Sequence, residues 1–258
     1  MKQYILITGA SSGIGYEMAQ QLASLKYNLI LVARSEDKLA TMQKELSSKY
    51  GITVQYIPKD LSKPEQAAQL FYDVKSANFQ VSHLINNAGF GNYGNFIETP
   101  LEEELNMIDL NISSLVVLTK LFAKDMAARK SGRIMNVSSV TAYLPFPYMS
   151  VYSATKSFVL AFSGTLAAEL EGTGVVVTTL APGFTETAFV SPEMRESKLL
   201  KSNKPTPVKT VATEGVNLLL HGKGKKIVGF QNRFNSILAG ILPDPVMMRI
   251  KMKLASAR

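Results

Sequence analysis

The stretch Tyr4-Ile5-Leu6-Ile7-Thr8-Gly9-Ala10-Ser11-Ser12-Gly13-Ile14-Gly15 decides how the rest of the chain is read. A short apolar run, predicted as a strand over 4–8, passes directly into a glycine-rich turn, and an amphipathic segment over 14–26 is predicted as the helix that follows. Glycines let the main chain turn tightly and come close to a pyrophosphate. The helix N-terminus behind them presents unpaired amides and a positive partial charge. A glycine-rich turn alone says little, but its place between first strand and first helix marks it as a nucleotide-binding turn rather than a plain connection. Gly9, Ser11, Ser12, Gly13, Ile14 and Gly15 are therefore assigned to phosphate binding.

The same alternation of short apolar runs and longer amphipathic segments continues along the chain. Further strands are predicted at 28–33, 53–57, 83–86, 133–138, 175–180 and 226–228, with helices at 36–49, 63–77, 101–129, 151–171 and 208–220. This order specifies an α/β protein with a doubly wound parallel sheet of about seven strands and helices on both faces. One domain is expected, with its core over 4–228, a substrate loop at 184–207 and a basic C-terminal extension at 230–258. The loop at 184–207 carries Pro192, Pro205 and Pro207 and leaves the carboxyl end of the sixth strand. It reads either as a cover over a ligand or as a surface connection.

Composition narrows the chemistry. The 258 residues are 46% hydrophobic and 19% charged, which suits a packed fold and excludes a disordered chain. No cysteine is present, which removes disulfide scaffolds, thiolate metal sites and thiol nucleophiles. His83 and His221 are the only histidines, so zinc sites and histidine triads have little material, and no metal is expected. Uninterrupted apolar runs fall well short of the ~20 residues of a spanning helix. The sequence opens almost directly into the first strand, with Lys2 alone as a charge before it, so no leader is expected and a cytoplasmic location is. The net charge of +8 suits nucleic acid, anionic lipid or a phosphorylated ligand, and no nucleic-acid motif accompanies it.

At the end of the second strand, Ala33 runs into Arg34-Ser35. A carboxylate here would accept from an adenosine ribose, whereas an arginine pairs with a 2′-phosphate. Arg34 thus points to NADP(H), with Ser35 and Lys38 as secondary contacts; the competing reading is a solvated loop arginine. Farther on, Tyr152 and Lys156 in Tyr-Ser-Ala-Thr-Lys stand one helical turn apart on one face. An ordinary tyrosine titrates at about 10, and a neighbouring ammonium is expected to move the phenol toward working pH. By itself the spacing is also that of an exposed helix pair.

With three residues between Gly9 and Gly13 and one between Gly13 and Gly15, and with Tyr152-x-x-x-Lys156, the chain resembles the short-chain dehydrogenase/reductase family in its single-domain form. The resemblance spans about 4–228 and implies a Rossmann-type fold and hydride transfer between NADP(H) and a carbonyl or alcohol. It assigns Asn111, Ser139, Tyr152 and Lys156 as the catalytic tetrad, with Ser138 the adjacent alternative to Ser139. Asp60 and Leu61 resemble the pair that holds the adenine, and Asn87, Ala88 and Gly89 the cofactor-lining turn. Pro182, Gly183, Thr185 and Thr187 resemble the segment around the nicotinamide. It also implies pairing through the helices at 101–129 and 151–171 into a homodimer or homotetramer. Tyr143, Leu144, Phe146 and Tyr148 either line a pocket for a hydrophobic ketone or belong to core or interface.

Two other readings stand beside this one. A protein that senses NADP(H) without useful catalysis needs the same phosphate turn. The segment 230–258, in which Arg233, Arg249, Lys251, Lys253 and Arg258 are mixed with apolar residues, either lies on an anionic membrane surface or packs as a lid or at an interface.

Overall fold

A computed structural model describes residues 2–187, 204–239, 248–249 and 251–252. Seven strands form one parallel sheet: β1 (Gln3–Thr8), β2 (Asn28–Ala33), β3 (Val54–Pro58), β4 (Gln80–Asn86), β5 (Gly132–Val137), β6 (Val175–Ala181) and β7 (Gly224–Ile227). Their spatial order is β3-β2-β1-β4-β5-β6-β7. The chain winds outward from β1 to β3, then crosses back to β4 and winds the other way. The crevice for a ligand therefore opens at the carboxyl ends of β1 and β4, where the order reverses.

The helices are α1 (Gly13–Ser24), α2 (Glu36–Tyr50), α3 (Pro64–Ser76), α4 (Leu101–Ile108), α5 (Leu115–Ala128), α6 (Ser150–Glu169), α7 (Val208–His221) and α8 (Phe230–Ala239). Because helices cover both faces, the central strands are apolar without alternation: β1 and β2 each bury five consecutive residues. Odd and even positions feed separate cores. Ile5, Ile7, Leu29 and Leu31 meet Met18 and Leu22 of α1 and Leu219 of α7. On the other face Leu6, Ile30 and Val32 meet Leu70 of α3 and Leu118, Phe122 and Met126 of α5. The guanidinium of Arg133, at the start of β5, donates to the carbonyls of Leu219 and Gly222 and so satisfies the C-terminal end of α7.

All seven predicted strands are present, β2 with its ends as predicted and the others with ends displaced by up to three residues; β4 starts at Gln80 rather than at 83, and β7 at Gly224 rather than at 226. The single helix expected over 101–129 is corrected. A π-helical turn, Asp109–Ser114, separates α4 from α5. The widened turn is held from outside the helix: Ser114 Oγ donates to Leu61 O at 2.6 Å, and the Asn111 side chain bonds the main chain of Phe90. The run Leu101–Ala128 is also long and apolar enough, by length and composition, to cross a membrane, a feature that a scan for unbroken apolar runs passes over. In this fold its α5 half packs against α3, β4 and β5.

Of the loop expected at 184–207, residues 188–203 lie outside the described residues. Its two ends are tied together, Thr206 N donating to Phe184 O at 2.7 Å and Glu186 N to Thr206 O at 3.1 Å. The extension expected at 230–258 begins with α8; residues 240–247, 250 and 253–258 lie outside the described residues.

Phe122 is the largest fully buried side chain among the described residues and joins α5 to the sheet. Replacing it with alanine is expected to cost about 3–5 kcal/mol of unfolding free energy. Urea denaturation measures this, and a loss below about 1 kcal/mol would contradict the packing described.

Candidate active site

The phosphate turn is built on close approaches. Gly9 has φ +65°, and a Cβ there would lie 2.9 Å from Ala88 Cα. A Cβ on Gly15 would collide with Gly9 O and the Asn87 amide. Thr8 and Asn87 lock β1 to the turn after β4: Thr8 Oγ1 accepts from the amides of Asn87 and Ala88, both at 3.0 Å, and Asn87 Nδ2 donates to Thr8 O at 3.0 Å and Gly9 O at 3.2 Å. Ser12 precedes α1 in extended conformation and its side chain does not cap the helix. The first-turn amides of α1 are thus left to an incoming group, and a helix start of this kind favours an anion.

This turn forms one end of a cavity of about 570 Å³ along the carboxyl ends of the strands. Of the residues predicted for the site, Gly9, Ser11, Ser12, Gly13, Ile14, Arg34, Asp60, Leu61, Asn87, Ala88 and Gly89 line it. Ser139, Tyr152, Lys156, Pro182, Gly183, Thr185 and Thr187 line it as well. Two do not. Gly15 is buried behind the turn, where it supplies space for Gly9, and Asn111 lies one layer back. Among the lining residues, Lys59, Ser62 and Phe90 go unread in the sequence. Lys59 and Ser62 flank the Asp60-Leu61 pair, so a wider reading of that motif finds them.

At the far end of the crevice Arg34 and Lys38 are exposed on the cavity wall, with Ala33 at the tip of β2. Lys59 is paired with Asp73 at 3.0 Å. Asp60 accepts from Ser62 N at 3.1 Å and Ser62 Oγ at 2.8 Å. Burial would raise its pKa, but those hydrogen bonds and the charges of Arg34 and Lys63 outweigh burial and hold the carboxyl below its usual range. Among the described residues no carboxylate other than Asp60 lines the cavity, which leaves the Arg34 end basic.

At the other end, β5 delivers two serines with different partners. Ser138 Oγ is buried and donates to Lys156 O at 2.8 Å, fixing α6 to the strand. Ser139 Oγ accepts from Thr141 N at 3.1 Å and shares a hydrogen bond with the Tyr152 phenol. Of the two hydroxyls, that of Ser139 meets the Tyr152 phenol and that of Ser138 is spent on Lys156 O. Lys156 Nζ donates to Val137 O at 3.0 Å and lies 5.7 Å from the centroid of the Tyr152 ring. Asn111 Nδ2 donates to Phe90 O at 2.9 Å and Thr155 Oγ1 at 3.1 Å, while its Oδ1 accepts from Phe90 N at 3.2 Å.

The expected lowering of the Tyr152 pKa is not what the free protein shows. Tyr152 and Lys156 are only 7% and 5% exposed, so burial disfavours both charged forms. It pushes the phenol up to about 12, partly offset by the Ser139 hydrogen bond, and pushes the ammonium down to about 8. A phenol in that state is protonated at neutral pH and able to donate. Beside it Met107, Phe146 and Met149 form an apolar wall, joined by Phe90, Tyr93, Tyr148 and Phe184. Phe146 and Tyr148 thus fall to the core alternative: they belong to this apolar cluster and do not line the cavity.

The chain is similar to known proteins. The short chain dehydrogenase family profile matches residues 3–198, and the chain belongs to that family. A very-long-chain 3-oxoacyl-CoA reductase of Danio rerio is 31% identical over 249 residues, covering 95% of this chain and 72% of the relative. The human 17-beta-hydroxysteroid dehydrogenase type 3 is 35% identical over 192 residues, 73% of this chain and 61% of the relative. Among solved structures, a short-chain dehydrogenase from Sphingobium yanoikuyae in complex with NADPH has a TM-score of 0.81 at 27% identity, over 93% of both chains. The protein is an oxidoreductase of this family, and the likeness to a structure holding NADPH supports a nicotinamide cofactor.

The fit of that cofactor rests on the glycine cradle. Gly15→Ala places a methyl group against Gly9 O and should weaken dinucleotide binding at least about tenfold, the equivalent of about 1.4 kcal/mol, without loss of helical circular dichroism. Titration of NADPH fluorescence reads this, and unchanged affinity would contradict the cradle.

Proposed function

We propose that the protein is an NADP(H)-dependent reductase of hydrophobic carbonyl compounds in which Tyr152 is the proton donor. The observation that carries this reading is a protonated, buried phenol bonded to Ser139 at the apolar end of the cavity, with the Lys156 ammonium beside it. Arg34 after Ala33 supports the 2′-phosphorylated cofactor, and the NADPH complex of the Sphingobium relative supports it too. The named activities of the Danio and human relatives, on 3-oxoacyl thioesters and a 17-hydroxysteroid, support a carbonyl on an apolar body.

The bound nicotinamide supplies hydride chemistry at a carbonyl carbon. Ser139 Oγ orients the carbonyl oxygen, and Tyr152 gives its phenolic proton to that oxygen as charge develops there. Lys156 stabilises the phenolate left behind and can also reach a ribose hydroxyl. Asn111 holds Phe90 and Thr155 in place and so acts as a positioning residue; the resemblance adds a water held between it and Lys156. The aromatic wall excludes solvent from the transfer. Pairing of two copies through α5 and α6 belongs to the same proposal, supported by the stacked Phe158 and Phe162 rings, 5.7 Å apart on α6, with Phe158 exposed.

Tyr152→Phe should lower NADPH oxidation with ketones and 3-oxoacyl thioesters by about 10²–10⁴-fold while NADPH binding persists. Undiminished turnover would reject the assignment, and binding without turnover by the wild type across the whole panel would favour a sensor. Arg34→Ala should raise KM for NADPH about tenfold or more and leave KM for NADH little changed, because one charge-assisted pair is lost. Equal losses for both cofactors would contradict the 2′-phosphate role.

A further inference from the structure

Helix α8 is inside out. At ~100° per residue, Phe230, Phe234, Ile237 and Leu238 share one face, and that face points to solvent: Phe230 is 82% exposed, Ile237 69% and Phe234 55%. Of the polar residues, Asn232 and Ser236 turn inward, while Gln231 and Arg233 are exposed. Asn232 Nδ2 donates to Val228 O at 2.7 Å and packs tightly on Gly183, and Ser236 is buried with no hydrogen-bond partner for its hydroxyl among the described residues. A helix that turns Asn232 and Ser236 to the protein and leaves two phenylalanines, an isoleucine and a leucine outside is built for another apolar medium. Met248, Met252 and Arg249 are exposed as well.

The charge around this face is one-sided. Residues 204–258 contain ten basic and two acidic residues, whereas residues 1–203 contain eighteen of each, so the whole net charge of +8 resides in this last part of the chain. Arg233 borders the apolar face on α8, and Lys223 and Lys225 are exposed on the approach to β7 and in it. Two copies facing each other here would bring two such positive regions together. An anionic surface has the complementary charge.

We propose that α8 docks the protein on an anionic lipid bilayer, with Phe230, Phe234, Ile237 and Leu238 in the acyl-headgroup boundary and the surrounding arginines and lysines at the headgroups. Four bulky apolar side chains on one helical face with flanking cations are the composition of an interfacial helix rather than a spanning one. Helix α8 lies beside the cofactor cavity, because Asn232 on its inward side rests on Gly183, which lines it. The last described segment is tied to the same region, Lys251 Nζ donating to Pro145 O at 3.0 Å in the loop that leads to Phe146. The docking itself does not depend on the catalytic reading.

The test is co-sedimentation of the full chain with vesicles of phosphatidylcholine alone and of phosphatidylcholine mixed with phosphatidylglycerol. The expected result is binding to the mixed vesicles at least about tenfold tighter than to neutral ones, weakened by added salt. The double variant F230D/F234D should lose at least about tenfold of that binding. Both positions are exposed, so its NADPH affinity and thermal melting should match the wild type. Equal binding by wild type and variant, or no binding to the anionic vesicles, would overturn the proposal. So would a dimer in light scattering that the variant abolishes while wild-type vesicle binding is absent, since the face would then belong to a second copy.

Discussion

The amine of Lys156 is held away from water between the end of β5 and the first turns of α6, and most of the site is arranged around it. Its Nζ donates to Val137 O, its own carbonyl accepts from Ser138, and Gly89 sits close enough that a side chain there would press on both Nζ and Asn111. A buried amine costs desolvation energy, which lowers its pKa to about 8 and so leaves most of its charge in place at neutral pH. That charge is useful only if the neighbouring phenol is equally fixed. Burial holds Tyr152 in its protonated state, and Ser139 aims it. The same desolvation that makes the pair costly to fold is what gives each group a defined proton at the start of a reaction.

The sheet explains why this pair meets a nucleotide. Reversal of strand order between β1 and β4 opens a crevice at one end of the sheet, and every strand that reaches the crevice does so by its carboxyl end. The glycine cradle after β1, Arg34 after β2, Asp60 after β3, Asn87 after β4, Ser139 after β5 and Gly183 after β6 are six strand ends facing one cavity. Beneath them, buried amides and hydroxyls tie the strands to the helices: Asn86 Nδ2 bonds Thr119 and Asn136 at 2.9 Å, and Asn136 Nδ2 bonds Ser163 at 2.9 Å. Such a network costs little only when nearly all its members are satisfied, and it fixes α5 and α6 relative to the sheet.

Much of this is legible in the sequence because the signals are local. Runs of leucine and β-branched residues, as in Leu29-Ile30-Leu31-Val32, announce buried parallel strands, and Gly9 to Gly15 announce the turn. What escapes depends on the third dimension. Hydrophobic periodicity does not distinguish an α-turn from the π-turn at Asp109–Ser114, because the extra residue is stabilised by Ser114 and Asn111 bonding groups distant in sequence. Gly15 looks like a phosphate contact and proves to be space for Gly9. The charge of Lys156 points to a lowered Tyr152 pKa, whereas burial, invisible in the sequence, decides the sign of the shift. Periodicity also reveals that α8 is amphipathic but not which face turns inward, and here Asn232 and Ser236 do while the apolar face is exposed.

The central claim is that a buried amine at Lys156 prepares the site, and its titration tests that directly. In protein carrying ¹³Cε-labelled lysine, one resonance should titrate at about 8 while ordinary lysines titrate near ~10.4, and that resonance should vanish in Lys156→Arg. If every lysine resonance titrates near ~10.4, or the low one survives the substitution, Lys156 is not desolvated as described and the account of the site fails.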